Sequence, residues 1–140
     1  MPAAVSLLGQ ELDVTVVADG GSKPPQKLNS LVEQGILQSA RIIMLGPIAG
    51  INAADIEDLF DPEDYLTLYN TACKTSLTMV DLGNNDNRIL SRIERKDGKF
   101  NHNDPSNWLL ANRATVTRNL RPTTLDRFER LIQAVNATLA

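Results

Sequence analysis

Val14-Thr15-Val16-Val17-Ala18 and Arg41-Ile42-Ile43-Met44-Leu45 are the two stretches that decide the fold. Both are short, mostly apolar and rich in β-branched residues, the composition of buried strands. Between them, after Pro24-Pro25, Leu28, Leu31 and Val32 fall on one side of a helix, and Gly35 stands where that helix would stop. Strand, helix, strand is the βαβ order, and such a connection joins parallel strands through a right-handed crossover. The expected fold class is therefore α/β, a parallel sheet flanked by helices with a helical C-terminal extension.

Working outward, Gly46–Ala54 reads as a loop and Asp55–Phe60 as one helical turn. Asp61 then offers an N-cap and Pro62 has the fixed φ of a first helical position. Tyr65, Leu68, Tyr69 and Ala72 share one face, which predicts a helix over 62–73. Leu77-Thr78-Met79-Val80 reads as a third short strand, and Asp81–Asp86 as a turn-rich break and the chain's one seam. Past it, Asp86 and the pair Asp104-Pro105 each signal a helix start, and Thr123/Thr124 opens a last helix. Its stripe of Leu125, Phe128, Ile132, Val135 and Leu139 is expected to seal the core. The reading is one domain over 1–140, made of an acidic βαβ half (1–80) and a more basic helical half (86–140).

At 140 residues, with 42% hydrophobic and 22% charged residues, the chain has the length and composition of one globular domain. It contains no apolar run long enough for a membrane helix, and its N-terminus lacks a basic region followed by a sustained apolar segment. A soluble, cytoplasmic protein without membrane contact is expected. Cys73 stands alone and cannot form an internal disulfide. The net charge of −3 is unevenly spread: residues 1–80 hold four Lys/Arg against ten Asp/Glu, whereas residues 81–140 hold ten against seven.

Asp19 closes the first strand at its C-terminal end, where open parallel sheets place ligands, and Gly20-Gly21 would let a ligand approach the backbone. The stretch from Asp55 to Asp64 carries six carboxylates and no base, and a divalent cation would relieve their repulsion. Asp61, Glu63 and Asp64 suit the helix N-terminus, while Glu57 and Asp58 precede the cap and are the better metal candidates. Arg88, Arg92 and Arg95, at helical spacing, form either a phosphate-gripping face for DNA or a solvated face paired with Glu94 and Asp97. His102 reads as surface, Trp108 as a core anchor. The sequence holds no G-x-x-x-x-G-K-[ST], G-x-G-x-x-G or G-x-S-x-G, which weighs against a nucleotide site, a dinucleotide enzyme or an α/β-hydrolase.

The order of these pieces resembles the later half of the Toprim domain of OLD-family ATP-dependent endonucleases. Val16-Val17-Ala18-Asp19-Gly20-Gly21 is similar to that family's strand and Asp-Gly-Asp motif, and Ala54-Asp55-Ile56-Glu57-Asp58-Leu59-Phe60 with Tyr65-Leu66 to its acidic segment. The tail from Arg88 through Arg95 and Lys99-Phe100 to Trp108 also looks alike. The resemblance implies a Toprim-like sheet and DNA cleavage dependent on Mg²⁺ or Mn²⁺, coupled to an ATPase. It implies Asp19 and Glu57 as catalytic metal ligands, Asp58 as a further ligand and Lys99 as a phosphate-neutralising catalytic residue. Two departures stand out. Gly21 occupies the place of the motif's second aspartate, and the family's upstream glutamate has no counterpart, since Glu11 lies too near Asp19. The expectation is a truncated or diverged remnant that is inactive alone and works with a partner ATPase chain or as a homo-oligomer. The alternative is a non-catalytic interaction module that keeps the sheet.

Overall fold

The computed structural model describes Ala3 and residues 13–139. Glu11 lies outside the described residues. Strand β1 (Val16–Ala18) pairs in parallel with β2 (Ile42–Met44), in the register Val16 to Ile42, Val17 to Ile43 and Ala18 to Met44. The connection carries helix α1 (Gln26–Glu33), as the βαβ reading requires, and a 3₁₀ turn at Ser39–Arg41 leads into β2. Val16, Leu28, Leu31 and Leu37 form the buried cluster between strand and helix. The described chain is mostly helical and contains this small two-stranded parallel sheet, a mixed α/β composition.

Two compact units result: Met1–Ile56 with Glu129–Ala140, and Glu57–Phe128. The break expected at Asp81–Asp86 lies inside the second of these. In the first unit, β2 runs directly into a short helix, α2 (Leu45–Ala49), so the loop expected from Gly46 begins only after Ala49.

The second unit is helical: α3 (Pro62–Cys73), α4 (Met79–Leu82), α5 (Ile89–Asp97), α6 (Asn103–Ala111) and α7 (Arg113–Val116), followed by the start of α8 (Pro122–Ala137). Helix α3 has the predicted bounds, because Asp61 accepts the Glu63 N–H at 3.0 Å and Pro62 fits the first turn. Tyr65, Leu68 and Tyr69 from α3, Leu82 from α4, and Ile89 and Ile93 from α5 form its core. The third strand expected at Leu77–Val80 is absent among the described residues. There Thr78 and Asp81 make a reciprocal capping box that opens α4: the Asp81 carboxylate accepts the Thr78 N–H at 2.8 Å, and the Thr78 hydroxyl accepts the Asp81 N–H at 3.3 Å. Helix α6 starts two residues earlier than a cap at Asp104 with Pro105 in the first helical position suggests, and Asn101 accepts the Asn103 N–H there at 3.1 Å.

Helix α8 corrects the expected stripe. Leu125, Ile132 and Leu139 are 52%, 58% and 69% exposed. The more buried side is displaced by one residue and reads Thr124, Arg127, Phe128, Leu131, Ala134, Val135 and Thr138. Polar residues turned inward by specific hydrogen bonds, Thr124 above all, set the helix rotation.

Candidate functional site

The C-terminal end of the sheet is built on backbone packed against backbone. Gly20 N–H donates to the Ala54 carbonyl at 2.8 Å, and the Gly20 carbonyl accepts the N–H groups of Ala54 at 3.1 Å and Gly46 at 2.9 Å. A Cβ on Gly21 would stand 2.7 Å from the Asn52 carbonyl oxygen, and one on Gly46 would stand 2.8 Å from that of Gly20. Gly21 therefore admits neighbouring backbone, which corrects the reading that it makes room for a ligand, while Gly20 holds a φ of +121° that favours glycine. The same contact explains Gly21: an aspartate there would drive its side chain into Asn52.

The antiparallel bridge between Gly20 and Ala54 has a consequence for the acids. Asp19 precedes one bridge residue and Asp55 follows the other, so the two carboxyl-bearing positions flank the bridge on the same side. Asp19 is exposed and Asp55 is buried. Sequence reasoning passed over Asp55 in favour of Glu57 and Asp58, because nothing local to the acidic run reveals a bridge to a residue 34 positions away.

The remaining predicted residues belong to the second unit. Glu57 and Asp58 lie in a 3₁₀ turn, Ile56–Leu59. Asp58 is buried, and its Oδ1 accepts the Ile89 N–H at 2.8 Å, satisfying one of the open donors at the start of α5. That oxygen is held by backbone. The charges of Glu57 and Asp58 act on Tyr65, whose hydroxyl is pushed well above the usual phenol range by burial first, then by Glu57, Cys73 and Asp58.

Asp61, Glu63 and Asp64 are bound up with the start of α8. Arg121 lies 3.7 Å from Asp61 and 3.9 Å from Asp64 and also pairs with Glu63, while the Thr124 hydroxyl donates to Asp64. Asp61 caps α3 as the capping reading expects, and the link of all three acids to the start of α8 goes beyond that reading.

The three arginines do not share an open face. Arg92 is 6% exposed, with Nη2 at 3.4 Å from Asn84 Oδ1 and Nε buried without a partner, so its expected place on a phosphate-gripping surface is corrected. Arg95 is exposed and lies 4.0 Å from Asp86. Arg88 is half-buried, and its N–H donates to Asp86 at 2.8 Å. Lys99 is exposed in the segment after α5. His102 is exposed, as expected, and sits 2.8 Å from Glu94.

A hard divalent cation takes about six oxygen ligands. The first unit offers two carboxylates beside the bridge, and among the described residues no group of three or more His, Cys, Asp or Glu gathers to hold a metal ion. The described donors are thus a partial set. No helix among the described residues is long and apolar enough to cross a membrane. Comparison of the chain with protein-family models, with curated proteins and with solved structures yields no match.

Proposed function

We propose that this chain is a Toprim-like remnant of an OLD-family ATP-dependent endonuclease. In this reading it contributes carboxylates, Asp19 and Asp55 foremost, to a DNA-cleaving assembly that uses Mg²⁺ or Mn²⁺ and is completed by another chain, and it does not cut DNA alone. The observation that carries the reading is the Gly20–Ala54 bridge, which sets Asp19 and the head of the acidic segment side by side at the carboxyl end of a parallel strand pair. The resemblance of the Asp-Gly turn and the acidic segment supplies the family. Two carboxylates without further acidic ligands account for inactivity in isolation, because each cation of a two-metal centre needs its own oxygen donors.

Calorimetric titration with Mn²⁺ tests this. Weak binding is expected in the intact chain, lost in Asp19→Asn and in Asp55→Asn and kept in Asp61→Asn, with supercoiled plasmid left uncut. Binding that survives both of the first two substitutions, or no binding at all, overturns the cation reading. Metal-dependent nicking by the chain alone, lost in Asp19→Asn, overturns its incompleteness.

A second reading, a non-catalytic interaction module, draws on the sheet itself. Two three-residue parallel strands are a small sheet, and each shows a single strand partner among the described residues. Light scattering that finds only monomer across micromolar concentrations counts against self-association through that edge.

A further inference from the structure

The second unit contains a cleft of about 420 Å³, of the size that takes small molecules. Its floor is apolar, with Leu68, Val116 and Leu120, and it is flanked by Trp108, Thr115 and Asn119. Trp108 packs against the core of the second unit, as its reading as an anchor expects, and is only partly buried, so that part of its ring lines the cleft.

The polar groups around this cleft narrow what it would take. The acids nearby are engaged in hydrogen bonds and share one cation. Asp64 accepts the Arg121 N–H at 2.8 Å and the Thr124 hydroxyl at 2.6 Å, and the Arg121 guanidinium pairs with Asp61 and Glu63. Three carboxylates share this one guanidinium, so the rim is net negative, which disfavours an anionic ligand. Donor and acceptor capacity does remain. The indole N–H of Trp108 and the hydroxyl of Thr115 have no partner among the described residues. Asn119 spends one N–H on the Thr115 carbonyl at 3.0 Å and keeps its side-chain carbonyl. An aromatic ring, an apolar floor and an edge that both donates and accepts describe a site for a flat ring with heteroatoms along its rim.

We propose that this cleft binds a neutral planar heterocycle of the nucleobase class, stacked with Trp108 and hydrogen-bonded by Asn119 and Thr115. Base-on-aromatic stacking supplies binding without charge, and the amide and hydroxyl discriminate a heterocycle from a plain aromatic ring. The inference goes beyond the cation reading and stands apart from it, since every residue of the cleft belongs to Glu57–Phe128 and neither Asp19 nor Asp55 takes part.

Trp108 is the chain's only tryptophan, so its fluorescence lifetime reports on the cleft directly. Titration of the full chain with adenosine, guanosine, cytidine and thymidine is expected to shorten that lifetime saturably for at least one nucleoside, with ribose inert. Asn119→Ala is expected to weaken that binding about tenfold. Thr115→Val serves as a second variant. Both side chains are exposed, and circular dichroism checks that the fold is kept. Two outcomes overturn the proposal: no saturable response to any nucleoside, or binding of phenol and indole as tight as that of nucleosides and indifferent to both substitutions. The second would mark the cleft as a seat for an aromatic side chain of another protein.

Discussion

The Thr124 hydroxyl donates to Asp64 Oδ2 at 2.6 Å while accepting the Asp61 N–H at 2.7 Å, and Thr124 is fully buried. One side chain thereby ties the first turn of α8 to the first turn of α3. Arg121 adds its own N–H to Asp64 at 2.8 Å and its guanidinium to the same three acids. The acidic run from Asp55 to Asp64 is therefore divided in use. Its later half latches two helices, and its head stands beside the Asp-Gly turn.

Because Thr124 is buried, an isosteric change that removes its hydroxyl takes the partner from the Asp61 N–H and leaves Asp64 Oδ2 with the Arg121 N–H alone. Thr124→Val is expected to lower stability by about 2 kcal/mol, and Thr124→Ser by less, as it keeps the hydroxyl. Urea unfolding measures both; a valine variant as stable as the parent would remove the latch from the account.

Placing an aspartate at position 21, as in the motif that the Asp-Gly turn resembles, should fail. In Gly21→Asp the new Cβ meets the Asn52 carbonyl oxygen at 2.7 Å, and a backbone neighbour gives way less easily than a flexible side chain. A loss of about 2 kcal/mol or more is expected, with no gain in Mn²⁺ binding. An unchanged unfolding midpoint together with tighter Mn²⁺ binding would show that the turn has room for the acid.

Tyr65 and Tyr69 are one turn apart on α3 and differ in what their hydroxyls meet. That of Tyr65 is buried without a hydrogen-bond partner among the described residues, whereas that of Tyr69 donates to Asp97. Tyr65→Phe is expected to be neutral or slightly stabilising, because it removes an unsatisfied group, while Tyr69→Phe should cost about 1 kcal/mol or more. Thermal or urea melts of the two variants separate them, and equal losses would contradict the assignment.

Asp81 supplies a pH dependence. Hydrogen bonds from the Thr78 hydroxyl and N–H hold its carboxyl below the usual carboxylate range. A group whose pKa is lowered on folding adds stability that is present above its unfolded value and fades as pH falls through its folded value. Amide exchange at Leu82 should thus be slower in the parent than in Asp81→Asn at neutral pH, and the difference should close in acid. A difference that persists below the carboxylate range would point to a role for Asp81 other than its charge.

Much of this was legible in the sequence. The β-branched runs at Val14–Ala18 and Arg41–Leu45 and the Asp61-Pro62 cap report local preferences, and local preferences survive folding there. Thr78-x-x-Asp81 was hidden because its flanking Leu77, Met79 and Val80 look like a strand, yet the two side chains close a capping box. Hydrophobic periodicity misjudged α8 by one residue, since Thr124 and Arg127 face inward on hydrogen bonds that apolar counting ignores; Arg127 Nη1 reaches the Asp58 carbonyl at 3.2 Å. Arg92 illustrates the same blindness in reverse. Helical spacing groups it with Arg88 and Arg95, but it sits on the side of α5 that is buried with Ile89 and Ile93. Asp55 joined the candidates only through a bridge between residues distant in sequence, and no local pattern encodes such a contact.

The central claim is that Asp19 and Asp55 together form the cation-binding edge of this chain. Paramagnetic broadening of backbone amide signals by substoichiometric Mn²⁺ locates the ion without reliance on activity. The account predicts that the signals of Asp19, Gly20, Gly21, Ala54, Asp55 and Ile56 fade first, and that Asp19→Asn abolishes the effect. Broadening centred instead on Asp61, Glu63 and Asp64, or spread evenly over the acidic surface, would contradict it.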